Sequence, residues 1–419
     1  MEIKRDTLLN KLITRMNNGM IKVVTGVRRS GKTYLLFKLF SDYLREKQIP
    51  KDHIIKISLD DRTNKSLRDP DTLLSHVLNQ VKDNEIHYVL LDEVQMVSEF
   101  EDVLNSFLHH RNIDVYVTGS NARFLSKDVI TEFRGRGDEV NVRPLSFAEF
   151  WQVRQGLERQ VALLEYMTYG GLPQTVTMET LEQKEDYLKN LFSHTYITDI
   201  KERYRIINDE DLEDIINLIA SSIGGLTNPT KLQNTFKSVK KRNVATETIK
   251  RYLDMMQDAF LIEKALRYDI KGKRYINTPA KYYFEDLGLR NARINFRQTE
   301  VTHLMENLIY NELRLRGYSV DVGEVLQNYK DKEGNSRRKN LEVDFVCNRG
   351  FNRYYIQSAY TIPSPEKMKQ ELNSLRSIND EFKKIVIVGG MEPTYKNEDG
   401  ILILNVFDFL LNPEDSLKI

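Results

Sequence analysis

Gly26-Val-Arg-Arg-Ser-Gly-Lys-Thr33 matches G-x-x-x-x-G-K-[ST], a spacing that suits phosphate binding. Gly26 and Gly31 let the chain turn tightly enough for the peptide N–H groups around Arg29 and Ser30 to face a phosphate. The dipole of the following helix favours the negative charge. Lys32 would reach the β- and γ-phosphates, and the Thr33 hydroxyl would join a Mg²⁺ shell. Downstream, His87-Tyr-Val-Leu-Leu-Asp-Glu93 reads as a buried strand ending in two carboxylates. Asp92 is expected to hold the Mg²⁺ shell and Glu93 to polarise the attacking water. The chemistry implied is Mg²⁺-dependent ATP binding and hydrolysis.

Two further segments bear on the same site. Val115-Tyr-Val-Thr-Gly-Ser120-Asn121 is a strand ending in small polar groups, where Ser120 or Asn121 would sense the γ-phosphate or else cap the turn. Phe133-Arg-Gly-Arg136 offers Arg136 as an arginine finger, in cis or from a neighbouring subunit. The alternative is a solvated arginine.

The elements needed to position these groups are present. Runs at 21–25, 54–58, 88–91 and 115–118 are β-rich and apolar, and 33–47, 70–82 and 100–110 have helical spacing. Strands alternating with helices predict a parallel α/β sheet over about residues 1–145. Residues 146–228 read as almost wholly helical. At about 150 residues per domain, a chain of 419 residues is expected to form two or three domains.

Lys plus Arg total 62 and Asp plus Glu 61, which excludes a uniformly basic or acidic chain. The balance hides a basic module. Residues 231–281 carry 13 basic and 5 acidic residues, a net +8. Two helices followed by a hairpin with Lys271-Gly-Lys-Arg274 at its turn have the order of a winged helix, expected over 229–300. Lys240, Lys241, Arg242, Lys273 and Arg274 are the candidate nucleic-acid contacts, against the alternative of a solvated surface or a dock for an acidic protein partner. The single cysteine, Cys347, excludes an internal disulfide. The charged start and the lack of a long apolar run lead us to expect a cytoplasmic protein without membrane spans.

The loop, the Asp-Glu strand, Thr118-Gly-Ser120 and the segment from Gly135-Arg136 to Arg143-Pro-Leu-Ser-Phe-Ala-Glu-Phe150 resemble the bacterial and archaeal AAA-type P-loop ATPases. More narrowly, they resemble the group followed by a conserved C-terminal domain of unknown function. Tyr169-Gly-Gly-Leu-Pro173, Thr246–Leu253, Lys281–Leu289 and Glu306–Leu313 extend the resemblance over nearly the whole chain. It implies an α/β protein: an AAA-type parallel sheet, a helical lid at 146–228, the winged helix, and a restriction-endonuclease-like domain at 301–419. In that last fold an aspartate and a following Glu-x-Lys hold metal and water. Here Asp344 and the helical Glu306 match, but Gln357-Ser358-Ala359 stands at the Glu-x-Lys positions. The domain is therefore expected to be non-catalytic, unless a lysine has migrated, with Lys367 and Lys369 the positions to watch, or unless Glu342 joins Asp344 in a rearranged site. An ATPase-regulated nuclease and a slow ATP-dependent switch acting on protein partners are the alternatives to an ATPase that moves its C-terminal domains. The oligomeric state is left open.

Overall fold

The computed structural model describes residues 3–119, 133, 135–206, 210–297, 300–330, 335–412 and 416–417. Five strands, β1 (Ile21–Gly26), β2 (Ile54–Ser58), β3 (His87–Asp92), β4 (Ile113–Thr118) and β5 (Gly137–Val142), form one parallel sheet in the order β2-β3-β4-β1-β5. Every residue of β1, β3 and β4 is buried, because helices cover both faces. Alternation along β3 divides the core. Val89 and Leu91 meet Leu73, Val77, Leu104 and Phe107 of the helices Pro70–Leu78 and Phe100–Phe107. Tyr88 and Leu90 meet Leu36 and Phe40 of the helix over 32–46, joined by Leu8 and Leu12 of the N-terminal helix Asp6–Ile13. The expected α/β class and parallel sheet are those observed.

The C-terminal half is organised by a second, mixed sheet of eight strands. In chain order these are β6 (Ile262–Asp269), β7 (Arg274–Phe284), β8 (Ser319–Lys330), β9 (Ser336–Arg349), β10 (Asn352–Ala359), β11 (Lys383–Val388), β12 (Tyr395–Lys396) and β13 (Leu402–Asn405). Their spatial order is β12-β13-β11-β10-β9-β8-β6-β7. The basic hairpin β6–β7 is thus part of the same sheet as β8–β13, because β6 pairs in parallel with β8 through Arg267–Val322 and its neighbours. The expected boundary at 300/301 runs through one sheet. Helix Val301–Leu315 covers one face with Met305, Leu308 and Ile309 against Phe345 and Ile356. Helix Pro365–Arg376 covers the other with Leu372 and Leu375 against Val346 and Tyr355.

The Tyr169–Pro173 and Lys281–Leu289 segments interlock. The buried Asp286 carboxylate accepts the Gly171 N–H at 2.8 Å and caps the next helix through Leu289 N–H at 3.0 Å. Burial raises its pKa to about 6 despite these bonds. Gly170 sits at φ 74°, and a Cβ there would lie 2.2 Å from Asp286 Oδ1. This approach requires glycine.

Candidate functional site

Parallel sheets place binding groups beyond the carboxyl ends of their strands. β1 ends at Gly26, where φ is 125° and a Cβ would lie 2.1 Å from the Val142 carbonyl oxygen of β5, so the loop must begin with glycine. Lys32 is buried and its Nζ donates to the Gly26 and Val27 carbonyls, both at 3.0 Å. Burial is the main reason its pKa falls to about 8. The Thr33 hydroxyl donates to Asp92 at 2.9 and 3.1 Å, joining the helix start to the end of β3. The Thr118 hydroxyl of β4 donates to the same carboxylate and accepts the Glu93 N–H at 3.2 Å. Burial raises the Asp92 pKa, and the two hydroxyl bonds oppose that rise. Glu93 lies just past the strand at φ 55°, a left-handed conformation that costs a non-glycine residue roughly 1–3 kcal/mol and is found most often at functional sites. The Gln95 amide donates to its carboxylate.

Lys32, Thr33, Asp92 and Glu93 are therefore brought together as the sequence implied. The hydroxyl and carboxylate oxygens of Thr33 and Asp92 are hard donors that fit Mg²⁺. Other expected contacts differ. The Ser30 side chain is fully buried and turns to β5, donating to the Val142 carbonyl at 3.0 Å, so Ser30 offers the loop only its peptide. Arg29 is exposed at φ 61°. Arg136 does not reach the site of its own chain. Gly137 pairs with Ile21 and Val142 with Gly26, so Arg136 lies at the opposite end of the sheet, roughly 20 Å away at about 3.3 Å per residue. Ser120 and Asn121 lie outside the described residues.

Sequence reasoning missed Arg5 and Arg143. The Arg5 guanidinium is buried. It donates to the Ser30 carbonyl at 2.7 Å, the Arg143 and Pro144 carbonyls at 2.9 and 3.2 Å, and the Glu149 carboxylate at 3.1 Å. Arg143 in turn pairs with Glu263 of β6 at 2.8 Å and Glu285 at 2.5 Å. Val27 of the loop packs into the helical core with Leu188, Phe192 and Ile216. Arg28 pairs with Asp199 at 2.8 Å. These contacts tie the loop to the C-terminal half.

Of the five candidate nucleic-acid residues, Lys240 and Arg242 are engaged within the chain, whereas Lys241 is exposed. Lys240 pairs with Asp214 at 2.9 Å, and Arg242 pairs with Glu210 at 2.7 Å and also with Asp211, all on the acidic helix Glu210–Ser221. That helix lies just outside the +8 window. At the hairpin turn, Lys273 is exposed, and Arg274 is 77% exposed with a 3.4 Å contact to Asp269.

Neither lysine of the helix Pro365–Arg376 that the sequence pointed to reaches Asp344. Lys367 pairs with Glu371 on its own helix at 2.5 Å, and Lys369 is exposed. The lysine that meets the carboxylates is Lys281 of β7, at 2.8 Å from Glu306, 2.7 Å from Glu342 and 3.9 Å from Asp344. Tyr283 donates to Glu306 at 2.7 Å. β9 carries one residue more than β8 between the pairs Asp321–Val346 and Gly323–Val343, a bulge that re-aims Asp344. Gln357 and Ala359 lie on the other face. Ala359 packs with Leu372 and Leu375, and the Ser374 hydroxyl is 3.4 Å from Gln357 Oε1. Burial raises the Asp344 pKa to about 8, and Lys281 lowers that of Glu306.

Residues 18–151 match the family model for an AAA domain, and residues 160–300 match one for a domain of unknown function, DUF8612. A Haemophilus influenzae protein described as uncharacterized is 34% identical over 416 residues, covering 98% of both chains. An uncharacterized Methanocaldococcus jannaschii protein is 27% identical over 373 residues, covering 86% of this chain and 79% of that one. Among solved structures, the Aeropyrum pernix ORC2 protein in its ADPNP–ADP complexes aligns with a TM-score of 0.36 and 12% identity, covering 73% of this chain and 92% of that one. The Aeropyrum pernix ORC1 protein in complex with DNA aligns with a TM-score of 0.32 and 11% identity, covering 70% and 93%.

Proposed function

The chain belongs to the family of the uncharacterized Haemophilus influenzae protein, and from that premise and the loop geometry we propose that it is a Mg²⁺-dependent ATPase whose nucleotide state moves the C-terminal sheet against a nucleic-acid or protein partner. The observation that carries the reading is the convergence of Lys32, Thr33, Asp92 and Glu93 at the ends of β1 and β3. Lys32 binds phosphate oxygens, Thr33 and Asp92 would hold Mg²⁺, and Glu93 orients and deprotonates water. Mg²⁺, when bound, offsets charge on the phosphate oxygens. An arginine finger is a role for Arg136 only from a neighbouring subunit. The site of action is the cytoplasm; no helix among the described residues is long and apolar enough to cross a membrane. ATP turnover measured with and without DNA tests the reading. Glu93→Gln should bind ATP and lose hydrolysis, whereas Lys32→Ala should lose binding. Wild-type turnover in Glu93→Gln would remove Glu93 as the base.

Two observations favour the alternatives. The ion pairs of Lys240 and Arg242 with the acidic helix favour a switch that acts through protein partners. Lys281 among Glu306, Glu342 and Asp344 supplies the ammonium whose absence supported a non-catalytic last domain, and so favours an ATPase-regulated nuclease. Cleavage of DNA or RNA with Mn²⁺ that disappears in Asp344→Ala would establish the latter; no cleavage by the wild type leaves the domain a binding platform.

A further inference from the structure

At the sheet end opposite the phosphate loop, two histidines stand side by side. His53 immediately precedes β2 and His87 opens β3. Because Ile54 pairs with Tyr88, the two face each other across adjacent parallel strands. Both are buried, and their rings stack at 4.2 Å between centroids with planes 19° apart. Asp83, from the segment leading into β3, reaches over them, its Oδ2 lying 3.1 Å from His53 Nε2. Local bonds hold that segment in place. Asp83 Oδ1 accepts the Glu85 N–H at 2.9 Å, the Asn112 amide donates to the Asp83 carbonyl at 2.8 Å, and the His87 ring donates from Nδ1 to the Glu85 carbonyl at 2.8 Å.

We infer that His53, Asp83 and His87 bind one divalent transition-metal ion of the zinc class, with a fourth position open to water. One ligand atom from each residue lies within 4.8 Å of the others. Two imidazoles and a carboxylate suit zinc, cobalt or nickel better than Mg²⁺. The Nδ1–H bond to the Glu85 carbonyl fixes the His87 tautomer, leaving the Nε2 lone pair for a metal; such an outer bond accompanies nearly every metal-ligating histidine. Ligand atoms on a tetrahedral ion with bonds near 2.0 Å sit roughly 3.3 Å apart. The His53–Asp83 pair is already at that spacing; closing the cluster takes at most about 1.5 Å between ligand atoms and a turn of one imidazole out of the stack, so that the ion lies in both ring planes. The Asp83 side chain is 49% exposed, which gives the carboxylate room to turn and the ion a way in.

The test is titration of the nucleotide-free, full-length chain with Co²⁺, read by visible absorption, and with Zn²⁺, read by thermal unfolding. One equivalent of Co²⁺ should give ligand-field bands, and Zn²⁺ should raise the unfolding temperature of the wild type. Asp83→Asn, at an exposed position, and His87→Ala should each weaken Co²⁺ binding at least tenfold and abolish the Zn²⁺ shift. If His87→Ala does not fold, Asp83→Asn with His53→Gln decides alone. Absence of tetrahedral cobalt bands in the wild type, or bands that persist in these variants and so arise elsewhere, such as at His109 and His110, would overturn the site.

Discussion

The Arg5 guanidinium donates to the Ser30 carbonyl at 2.7 Å while pairing with Glu149 at 3.1 Å, so one buried side chain joins the phosphate loop to the capping box of the next helical region. Glu149 is the N3 residue of that box, bonded to the Ser146 N–H at 3.0 Å. The loop is thereby joined to the segment after β5, where Arg143 pairs with Glu263 of β6 and with Glu285.

Arg5→Ala should destabilise the chain by about 3–5 kcal/mol, the usual cost of leaving a buried partner charge unpaired. Arg5→Lys keeps the charge but not a fork able to serve Glu149 and Ser30 together. Its unfolding midpoint should fall less, while its ATP affinity drops several-fold. Urea denaturation beside nucleotide titration separates the two effects. Wild-type affinity in Arg5→Lys would show that the contact only stabilises the fold.

The pH dependence of nucleotide binding follows from Lys32. Burial brings its pKa to about 8, and only the ammonium form binds phosphate well. Below that pH the free protein is already charged, so affinity is level. Above it, binding must take up a proton, and affinity should fall by up to tenfold per pH unit. Calorimetry from pH 7 to 10 in buffers of differing ionisation enthalpy checks both the slope and the proton uptake. A flat profile would refute the assignment.

How far the sequence could be read depended on whether a feature is local. Gly26–Thr33 and Asp92-Glu93 are contiguous, and strand order brings their two segments together whatever surrounds them. Arg5 carries no such signature, because its partners Ser30 and Glu149 lie 25 and 144 positions away. The +8 count stopped at residue 231 and so missed Glu210, Asp211 and Asp214, which fold back on Lys240 and Arg242. Lys367 and Lys369, the positions to watch for a migrated lysine, lie on the helix after β10, on the far side of the sheet from the carboxylates. The bulge in β9 turns Asp344 toward helix Val301–Leu315 and leaves Gln357 and Ala359 on the other side, so the ammonium arrives from β7. β7 joins that sheet only because β6 pairs with β8, a long-range choice without a local motif.

Nucleic-acid affinity, where the partner is DNA, should reside in the side chains that are not held by the acidic helix. Replacing Lys241, Lys273 and Arg274 with glutamine should lower the slope of log affinity against log salt by about 2–3, near 0.9 for each phosphate left without its cation. Replacing Lys240 and Arg242 should leave the slope unchanged and instead loosen the helix Glu210–Ser221. An unchanged slope in the first variant would place the interaction elsewhere and favour a protein partner.

Lys281 gives the sharpest test of the second sheet. Its ammonium is nearly inaccessible and shares Glu306, which is 6% exposed, with the Tyr283 hydroxyl. Lys281→Met leaves the Glu306 anion without its ammonium, and stability at neutral pH should fall by about 3–5 kcal/mol. Lys281→Met with Glu306→Gln removes both charges and should recover much of that loss, so the two changes are strongly non-additive. The pH behaviour has a definite sign. In the wild type the Glu306 pKa is lowered, so its contribution is present above the unfolded carboxyl value and lost as pH falls through the folded one. Asp344 runs the other way. Its folded pKa is about 8, so its contribution is full below 3.8 and is lost as pH rises to about 8. In Lys281→Met the ammonium that favours both anions is gone, so acidification should restore stability as Glu306 takes up a proton. Urea midpoints at pH 5 and pH 8 for the wild type, both single variants and the double variant measure this. Additive losses, or a Lys281→Met deficit that is the same at both pH values, would show that the three carboxylates do not depend on this ammonium.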